Sequence, residues 1–306
     1  MYDVVIIGGG PGGVAAGIYA ARKKMKSVLI TDSFGGQSLN SAGIENWIGT
    51  TNLSGYDLAK NLEAHLRAQK DIEIIDNDLV VGVTKKPDGT FTVTTREGKT
   101  LETKYILIAS GSRRKRLGVP GEDQFDGKGV VFCTTCDAPL FDGKTTAVVG
   151  GGNSALESVI DLIAYSPKIY LIVRSDVLRG DPITQEKVKS HPQVQILWNT
   201  VVQEIKGDKF VNAIRYKDTK SGDEKVLAVD GVFVEVGLLP NSDFVKGIVD
   251  MDDYGHIKVD HRTEETSCSG IWAVGDVSDV LYQQNNISVG DGVKAILNIY
   301  DKVKKG

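Results

Sequence analysis

Two cysteines carry the most specific chemistry in this sequence. Cys133 and Cys136 are separated by two threonines and followed directly by Asp137. A pair at this spacing across the start of a helix can form a strained, easily exchanged disulfide, and the helix amides make the first thiol a better nucleophile. The acid after the pair either suits the helix dipole or serves as proton donor or acceptor for the thiolate. The pattern predicts dithiol/disulfide exchange.

A structural zinc site is the alternative for a close cysteine pair. Zinc needs four ligands, and only Cys268 remains as a third thiolate. The four histidines, at 65, 191, 256 and 261, show no paired spacing. We therefore expect redox chemistry and no metal, with Cys268 packed as a small apolar residue.

A glycine-rich turn near the start of the chain predicts a dinucleotide site. In Gly8-x-Gly10-x-x-Gly13, the first glycine allows a tight turn, the second lets a pyrophosphate approach the backbone, and the third lets helix and strand pack closely. Asp32 follows about twenty residues later, at the expected end of the next strand. Its carboxylate can accept hydrogen bonds from ribose hydroxyls.

A second turn of the same type lies in the middle of the chain. Its residues are Gly150, Gly152, Asn153, Ser154 and Ala155. The strand that follows ends without an acid, and Arg174 and Arg179 come next. These arginines could hold a 2′-phosphate through bidentate hydrogen bonds, which favours NADPH over NADH. The alternative is that both are ordinary surface charges.

The elements around the two turns repeat. Residues 3–7 and 146–149 are short apolar runs typical of buried parallel strands. Each precedes a glycine turn, a helix, a second strand, an antiparallel meander and a returning strand. The helices are predicted at 14–25 and 156–164, and the second strands at 27–31 and 169–173. The returning strands are predicted at 105–109 and 231–236.

This duplication predicts an α/β fold with two Rossmann-like nucleotide-binding domains. The last strand (271–274) and helix (291–300) have no counterpart in the second half, so we expect them to return to the first domain. The first domain would comprise residues 1–112 and 245–306. The second, residues 113–244, would be inserted in it and would carry the cysteine pair.

Composition excludes several classes of protein. The chain has 306 residues and a formal net charge of -4, with no long basic stripe, so we expect no nucleic-acid partner. No apolar run approaches the length of a spanning helix, and no secretory signal is visible, which predicts a cytoplasmic protein without a membrane partner. The short basic run Arg113–Arg116 is either a solvated linker or a patch for an acidic partner or a phosphate.

Taken together, these motifs resemble the low-molecular-weight thioredoxin reductase family, of the FAD/NAD(P)-dependent pyridine nucleotide-disulfide oxidoreductase type. The sequence is also similar to the C-terminal reductase part of the alkyl hydroperoxide reductase flavoprotein. The likeness extends over essentially the whole chain, and its most specific feature is the Cys-x-x-Cys just before the second glycine turn. The matching stretches are Gly8–Gly13, Phe34–Gln37, Glu45–Trp47, Ala109–Gly111, Cys133–Asp137, Gly150–Ala155, Gly275–Asp276 and Tyr282–Gln284.

The resemblance implies FAD in the first domain and a nicotinamide nucleotide in the second. It implies that Asp276 binds the ribitol or the phosphates. The other residues it places near the flavin are Gly35, Gly36, Gln37, Asn46, Gly111 and Gly275, with Gln283, Gln284 and Asn285 by the pyrimidine edge.

The resemblance also implies roles for the two cysteines and for partners. Cys136 would face C4a of the flavin, and Cys133 would attack the disulfide of a carrier protein. Such proteins are homodimers. The fused N-terminal thioredoxin-like domains of the alkyl hydroperoxide reductase flavoprotein have no counterpart here, so we expect a separate carrier, thioredoxin or a glutaredoxin-like protein. Because nicotinamide and the cysteine pair need the same flavin face, the inserted domain should rotate about 111–113 and 240–243.

The sequence departs from the family pattern at the expected donor site, which leaves the electron donor open, and at one expected flavin contact. The family reads His-Arg-Arg-x-x-x-Arg where this chain has Val173, Arg174, Ser175 and then Arg179. Asn285 stands where a small apolar residue is usual. NADPH is the expected donor, and NADH or ferredoxin remain alternatives, as do a dithiol oxidase that uses O₂ and a non-enzymatic redox sensor.

Overall fold

The computed structural model describes residues 1–41 and 43–305, apart from the side chains of Asn40, Thr135 and Cys136. The helices are α1 (Pro11–Arg22), α2 (Gly55–Arg67), α3 (Thr134–Asp137), α4 (Asn153–Leu162), α5 (Pro182–Ser190) and α6 (Asn285–Val303). The strands are β1 (Tyr2–Gly9), β2 (Ser27–Phe34), β3 (Ile72–Ile75), β4 (Val80–Lys85), β5 (Phe91–Thr95), β6 (Thr100–Ile108), β7 (Ser112–Arg114), β8 (Val130–Val131), β9 (Thr145–Val149), β10 (Lys168–Ile172), β11 (Val194–Leu197), β12 (Thr200–Gly207), β13 (Val211–Asp218), β14 (Glu224–Ala228), β15 (Gly231–Val234), β16 (Leu238–Pro240), β17 (Val259–Asp260), β18 (Glu265–Thr266) and β19 (Ile271–Ala273).

The chain divides into two compact units. Unit 1 comprises Met1–Arg113 and Leu239–Gly306, and unit 2 comprises Arg114–Leu238. The two segments that connect them, β7 and β16, pair with each other as a two-stranded ribbon. Of the helices that the structure describes, none is long and apolar enough to cross a membrane.

Unit 1 is built on five parallel strands in the order β19-β6-β1-β2-β3. Alternate residues of the central strand β1 face opposite sides of this sheet, as the two-residue period of a strand requires. Val4 and Ile6 pack with helices α1 and α6, whereas Val5 and Ile7 pack with the antiparallel strands β4 and β5. Both faces are therefore covered, which explains why β1 is apolar without alternation.

Unit 2 repeats this plan. Its parallel sheet runs β11-β10-β9-β15-β8, and β9, like β1, is the central strand that leads into a glycine turn. Val148 packs on the helical side with α4, and Ala147 and Val149 pack toward the antiparallel sheet β12-β13-β14. The predicted fold class is confirmed: two Rossmann-like α/β units, with the second inserted in the first.

Several element boundaries differ from the sequence prediction. Helix α1 begins at Pro11, three residues before the predicted start, because proline suits the first turn of a helix and needs no amide hydrogen there. It ends near Lys24, whose φ of 56° is left-handed. Helix α6 begins at Asn285, six residues before the predicted start. Helices α2 and α5 were not predicted.

A buried ion pair joins α6 to the loop before β18. Glu264 is 2% exposed and forms an ion pair with Lys294 of α6, which also contacts Asp291. Burial raises the pKa of the Glu264 carboxyl, and the bond from Lys294 opposes that rise. The carboxylate form of Glu264 therefore depends on the lysine.

We predict that Lys294→Met lowers the free energy of unfolding by about 2–3 kcal/mol at pH 8, because it leaves a buried carboxylate without its cation. The raised pKa of Glu264 means that the folded state binds a proton more readily than the unfolded state, so the variant should regain stability as the pH falls toward 5. Urea unfolding at both pH values measures this. Lys304→Met, which removes the exposed pair with Asp301, should cost less than about 1 kcal/mol. An equal loss in both variants, independent of pH, would contradict the account.

Candidate active site

Unit 1 contains a cavity of about 740 Å³ at the carboxyl ends of its central strands. This volume lies within the usual range for small-molecule and cofactor sites. The sequence-predicted residues that line it are Gly8, Gly10, Asp32, Gly36, Gln37, Gly111, Gly275, Asp276 and Asn285. Residues far apart in the sequence thus meet on one surface, because parallel strands end at the same edge of the sheet.

The three glycines of the first turn differ in the space that surrounds them. At Gly8, with φ of 116°, a Cβ would lie 2.2 Å from the carbonyl oxygen of Ala109. At Gly13 it would lie 1.9 Å from the carbonyl oxygen of Gly8. At Gly10 a Cβ would meet no atom within 4 Å. Gly8 and Gly13 therefore let strand and helix pack, and Gly10 leaves open space beside the helix start.

The start of α1 is suited to an anion. Gly10 is its N-cap, no side chain of the described residues caps it, and no acid occupies its first turn. The amides of the first turn are therefore available to a ligand, and the helix dipole favours negative charge there. Gly36, with φ of 56°, lies close to this helix start. A Cβ added to Gly36 would lie 3.6 Å from the Cα of Gly10.

Two carboxylates that were predicted from the sequence line the same cavity. Asp32 lies inside β2, which continues to Phe34, so it is not at the strand end as predicted; one of its oxygens pairs with Arg96 at 3.0 Å. Asp276 is partly buried, and burial raises the pKa of its carboxyl, opposed by a hydrogen bond from Ser112 and the charge of His256. Gln37 donates a hydrogen bond to the Ser112 carbonyl oxygen at 2.8 Å.

Other predicted flavin residues lie outside this cavity. Gly13 and Gly35 pack behind it; at Gly35, with φ of 91°, a Cβ would lie 2.4 Å from that of Ala59. Asn46, Gln283 and Gln284 line a second cavity of about 590 Å³, which Asn285 also lines.

The second cavity is held together by amide side chains. Asn46 donates to the Gln284 side-chain oxygen at 3.2 Å, and Asn286 donates to the Asn46 carbonyl oxygen at 2.7 Å. Ser38 donates to Asn285 at 3.0 Å, which connects this group to the first cavity. These bonds tie Ser38 and Asn46 to the start of α6.

The glycine turn of unit 2 reproduces the packing of the first. At Gly150, with φ of 156°, a Cβ would lie 2.2 Å from the carbonyl oxygen of Glu235 and 2.8 Å from the Ala155 Cβ. At Gly152 it would meet no atom within 4 Å. Ala155 is fully buried, and Ser154 is exposed at the start of α4.

The loop after β10 lies beside this turn. Arg179 donates its backbone amide to the Gly151 carbonyl oxygen at 2.7 Å, and Asn153 accepts from the Asp181 amide at 2.7 Å. The side chains of Arg174 and Arg179 are exposed. The structure therefore places the two arginines on the loop that borders the start of α4.

The cysteine turn is the short helix α3, and Cys133 is its N-cap. Cys133 is disulfide-bonded, whereas Cys268 carries a free thiol. The side chain of Cys136, predicted to face the flavin, lies outside the described residues. Burial raises the pKa of the Asp137 carboxyl, and the charge of Arg114 opposes that rise. Among the described residues, no three His, Cys, Asp or Glu side chains form a metal site.

The basic run Arg113–Arg116 is engaged in ion pairs within each unit. Arg113 pairs with Asp243, and Arg116 pairs with Asp123 and Asp126. These ion pairs hold the two arginines locally, and the linker and patch interpretations of this run both stay predictions.

Sequence reasoning missed several cavity residues. Ser38, Ser112, Ser288, Asn241, Asp243 and Phe244 line the first cavity. Ser288 could have been found from its position on the first turn of α6, four residues after Gln284. Asn241 and Asp243 lie after β16 and come to the cavity through the return of the chain to unit 1, which no local pattern indicates.

Comparison with known proteins identifies the family. Residues 2–292 match the family model described as pyridine nucleotide-disulphide oxidoreductase. The chain belongs to this family, and both family resemblances predicted from the sequence are confirmed. Membership implies an oxidoreductase that uses FAD and a pyridine nucleotide.

Solved thioredoxin reductases have the same fold. The structure titled thioredoxin reductase (FR conformation) from Lactococcus lactis has a TM-score of 0.85 at 34% identity and covers 100% of both chains. That of T. acidophilum has a TM-score of 0.82 at 35% identity and covers 99% of both.

The curated relatives carry a different name. The F subunit of alkyl hydroperoxide reductase from Staphylococcus aureus (strain MRSA252) is 40% identical over 302 residues, which is 99% of this chain and 59% of that protein. The Pseudomonas aeruginosa protein of the same name is 41% identical, over 98% of this chain and 58% of that protein. The chain thus spans less than two thirds of these relatives.

We predict that Gly13→Ala destabilises the flavin-free protein by about 3 kcal/mol or more, because the added methyl group forces α1 away from β1. Gly10→Ala should change the free energy of unfolding by less than about 1 kcal/mol, because open space surrounds that position. Urea unfolding of both variants, after removal of any bound flavin, measures the difference. Equal losses would contradict the assignment of Gly13 to packing and Gly10 to open space.

Proposed function

We propose that this chain is an FAD-dependent dithiol/disulfide oxidoreductase that passes two electrons to the Cys133–Cys136 pair and on to a thioredoxin-like carrier. The observation that carries the proposal is the combination of the 740 Å³ cavity around the first glycine turn with a disulfide-bonded Cys133 just before the second. The cavity suits FAD, the second glycine turn suits a pyridine nucleotide, and the cysteine pair suits exchange with the disulfide of a carrier.

The first cavity suits FAD. The open space at Gly10 and the uncapped amides of α1 fit the pyrophosphate, Asp32 fits the ribose hydroxyls, and Asp276 fits the ribitol or the phosphates. When bound, FAD supplies a two-electron carrier that can accept a hydride and reduce a disulfide. Gln37, which is held by its hydrogen bond to the Ser112 carbonyl oxygen, lines the same cavity.

The cysteine pair carries out the exchange. Its disulfide takes up two electrons and two protons and becomes two thiols. The Cys133 thiolate then attacks one sulfur of the carrier's disulfide, forming a mixed disulfide and releasing the other carrier sulfur as a thiolate. Attack by Cys136 on the Cys133 sulfur restores the disulfide of the pair and releases the carrier as a dithiol.

Asp137 supplies the proton. Because burial raises the pKa of its carboxyl, the protonated form extends to higher pH than for an exposed aspartate. It can therefore protonate a cysteine thiolate as the disulfide of the pair opens.

The second glycine turn takes the electron donor, which we propose is NADPH. Arg174 and Arg179 are exposed on the loop beside the α4 start, where a 2′-phosphate would lie. Ser175 stands between them and offers a hydroxyl instead of a third cation. NADH and ferredoxin are the alternative donors. The carrier is thioredoxin or a glutaredoxin-like protein, and the enzyme is a homodimer.

We further propose that unit 2 rotates during turnover, so that nicotinamide and the cysteine pair reach the flavin in turn. The β7–β16 ribbon forms the hinge. Next to it, Arg113 donates to the Pro240 carbonyl oxygen at 3.1 Å and pairs with Asp243 at 3.0 Å, which anchors the ribbon on unit 1.

We predict that anaerobic NADPH bleaches the flavin absorbance rapidly and that NADH does so at least about tenfold more slowly, because only NADPH engages Arg174 and Arg179. Stopped-flow absorbance with NADPH, NADH and reduced ferredoxin in parallel measures this. Arg174→Gln should slow the reduction of the flavin by NADPH and leave its reduction by NADH unchanged. Arg262→Gln, in unit 1, is the matched control. Bleaching of the flavin by ferredoxin alone, or faster bleaching by NADH than by NADPH, would contradict the assignment of NADPH as the donor.

We predict that Asp137→Asn slows carrier reduction by about 100-fold at pH 7, because the amide cannot donate a proton. The rate of the wild-type protein should fall as the pH rises through the raised pKa of Asp137, and the variant should lack this dependence. Steady-state reduction of thioredoxin between pH 5 and 9 is the measurement. Asp142→Asn, exposed five residues later, is the control, and an equal effect in both variants would remove Asp137 from the mechanism.

A further inference from the structure

A buried carboxylate lies where the repeated fold of unit 1 has an alanine. Ala109 follows the returning strand β6 and donates its amide to the carbonyl oxygen of Ile7 on β1 at 2.8 Å. Glu235 follows β15 and donates its amide to Val149 on β9 at 2.9 Å. The carbonyl oxygens of Ala109 and Glu235 themselves would each lie 2.2 Å from a Cβ on the first glycine of the turn in their unit. The backbones are equivalent, and only unit 2 places a charge there.

The side chain of Glu235 is 7% exposed and reaches three neighbours. Arg114 contacts it at 3.2 Å, and the hydroxyl groups of Ser158 and Thr134 hydrogen-bond to it. The oxygens of Thr134 and Ser158 are themselves 2.7 Å apart and buried. One carboxylate therefore joins strand β15, helix α4 and the cysteine turn.

Thr134 makes this network relevant to the cysteines. It is the residue directly after Cys133 and the first residue of α3. Because its hydroxyl is fixed to Glu235 and Ser158, the turn that carries Cys133 is held against α4. The Glu235 carboxylate therefore contacts the residue next to the disulfide-bonded cysteine, and its burial weakens the screening of its charge by water.

Arg114 balances this charge. It is 29% exposed, and its Nε atom is buried with no hydrogen-bond partner among the described residues. Its charge acts on two acidic groups of this network, Glu235 and Asp137. Burial raises the pKa of the Glu235 carboxyl, and Arg114 and the two hydroxyl groups oppose the rise. The pair thus sets the net charge beside the cysteine turn.

We propose that Glu235 and Arg114 are positioning residues that set the equilibrium between disulfide and dithiol at Cys133, with Thr134 and Ser158 as the link. The inference deepens the proposed function and depends on it. A carboxylate beside Cys133 disfavours its thiolate, whereas a guanidinium favours it. Removing one or the other should therefore shift the equilibrium in opposite directions, because a stabilised reduced form makes a disulfide more oxidising.

The experiment equilibrates the flavin-containing protein with glutathione redox buffers, stops the exchange with acid, and alkylates the free thiols at neutral pH after denaturation. Peptide mass spectrometry then quantifies Cys133. Glu235→Gln should move the equilibrium toward the dithiol by about tenfold, equivalent to about 30 mV. Arg114→Gln should move it toward the disulfide. The pH dependence of alkylation at Cys133 should shift to lower pH in the first variant and to higher pH in the second.

Glu186→Gln, an exposed acid on α5, is the matched control and should match the wild-type protein within twofold. If Glu235→Gln fails to fold, the variant with both Arg114→Gln and Glu235→Gln lacks the unpaired cation, and its equilibrium should lie toward the dithiol relative to Arg114→Gln alone. Shifts in the same direction, or within twofold of wild type in folded variants, would overturn the inference. A wild-type Cys133 that no buffer reduces would instead overturn the proposed function.

Discussion

The contact on which the rest of the structure depends is a backbone approach that only glycine permits. In each unit, the first turn after the central strand passes so close to the neighbouring returning strand that a Cβ would lie 2.2 Å from a carbonyl oxygen. This approach brings the start of the next helix over the strand ends, with its amides uncapped. Both nucleotide sites of the proposed function follow from this arrangement.

The two units share a backbone plan and differ in their polar side chains. Unit 1 has a large cavity lined by small residues and a few carboxylates, which suits a bound flavin. Unit 2 places Cys133 and Asp137 on a short helix after the edge strand β8, and the buried Glu235 and Arg114 next to it. The backbone plan is therefore shared by the two units, whereas the cysteine turn, which precedes the repeated elements of unit 2, has no counterpart in unit 1.

Local patterns predicted what depends on local physics. The glycine turns, the apolar central strands and the antiparallel meanders follow from backbone sterics and strand period, and they led to the confirmed fold class. Helix α2 was missed although Ser54 caps it by accepting from the Asp57 amide, a readable signal. The contact of Glu235 with Thr134 had no such signal, because β15 and the cysteine turn are a hundred residues apart and meet only through tertiary packing.

The central claim is that flavin and the Cys133–Cys136 disulfide exchange electrons, and counting electrons tests it directly. Anaerobic titration of the purified protein with dithionite, followed by flavin absorbance, gives the electrons taken up per FAD. The account predicts about four for the wild-type protein, two each for flavin and disulfide, and about two when both cysteines are replaced by serine. Uptake of two electrons by both proteins, or a purified protein that binds no flavin, would contradict it.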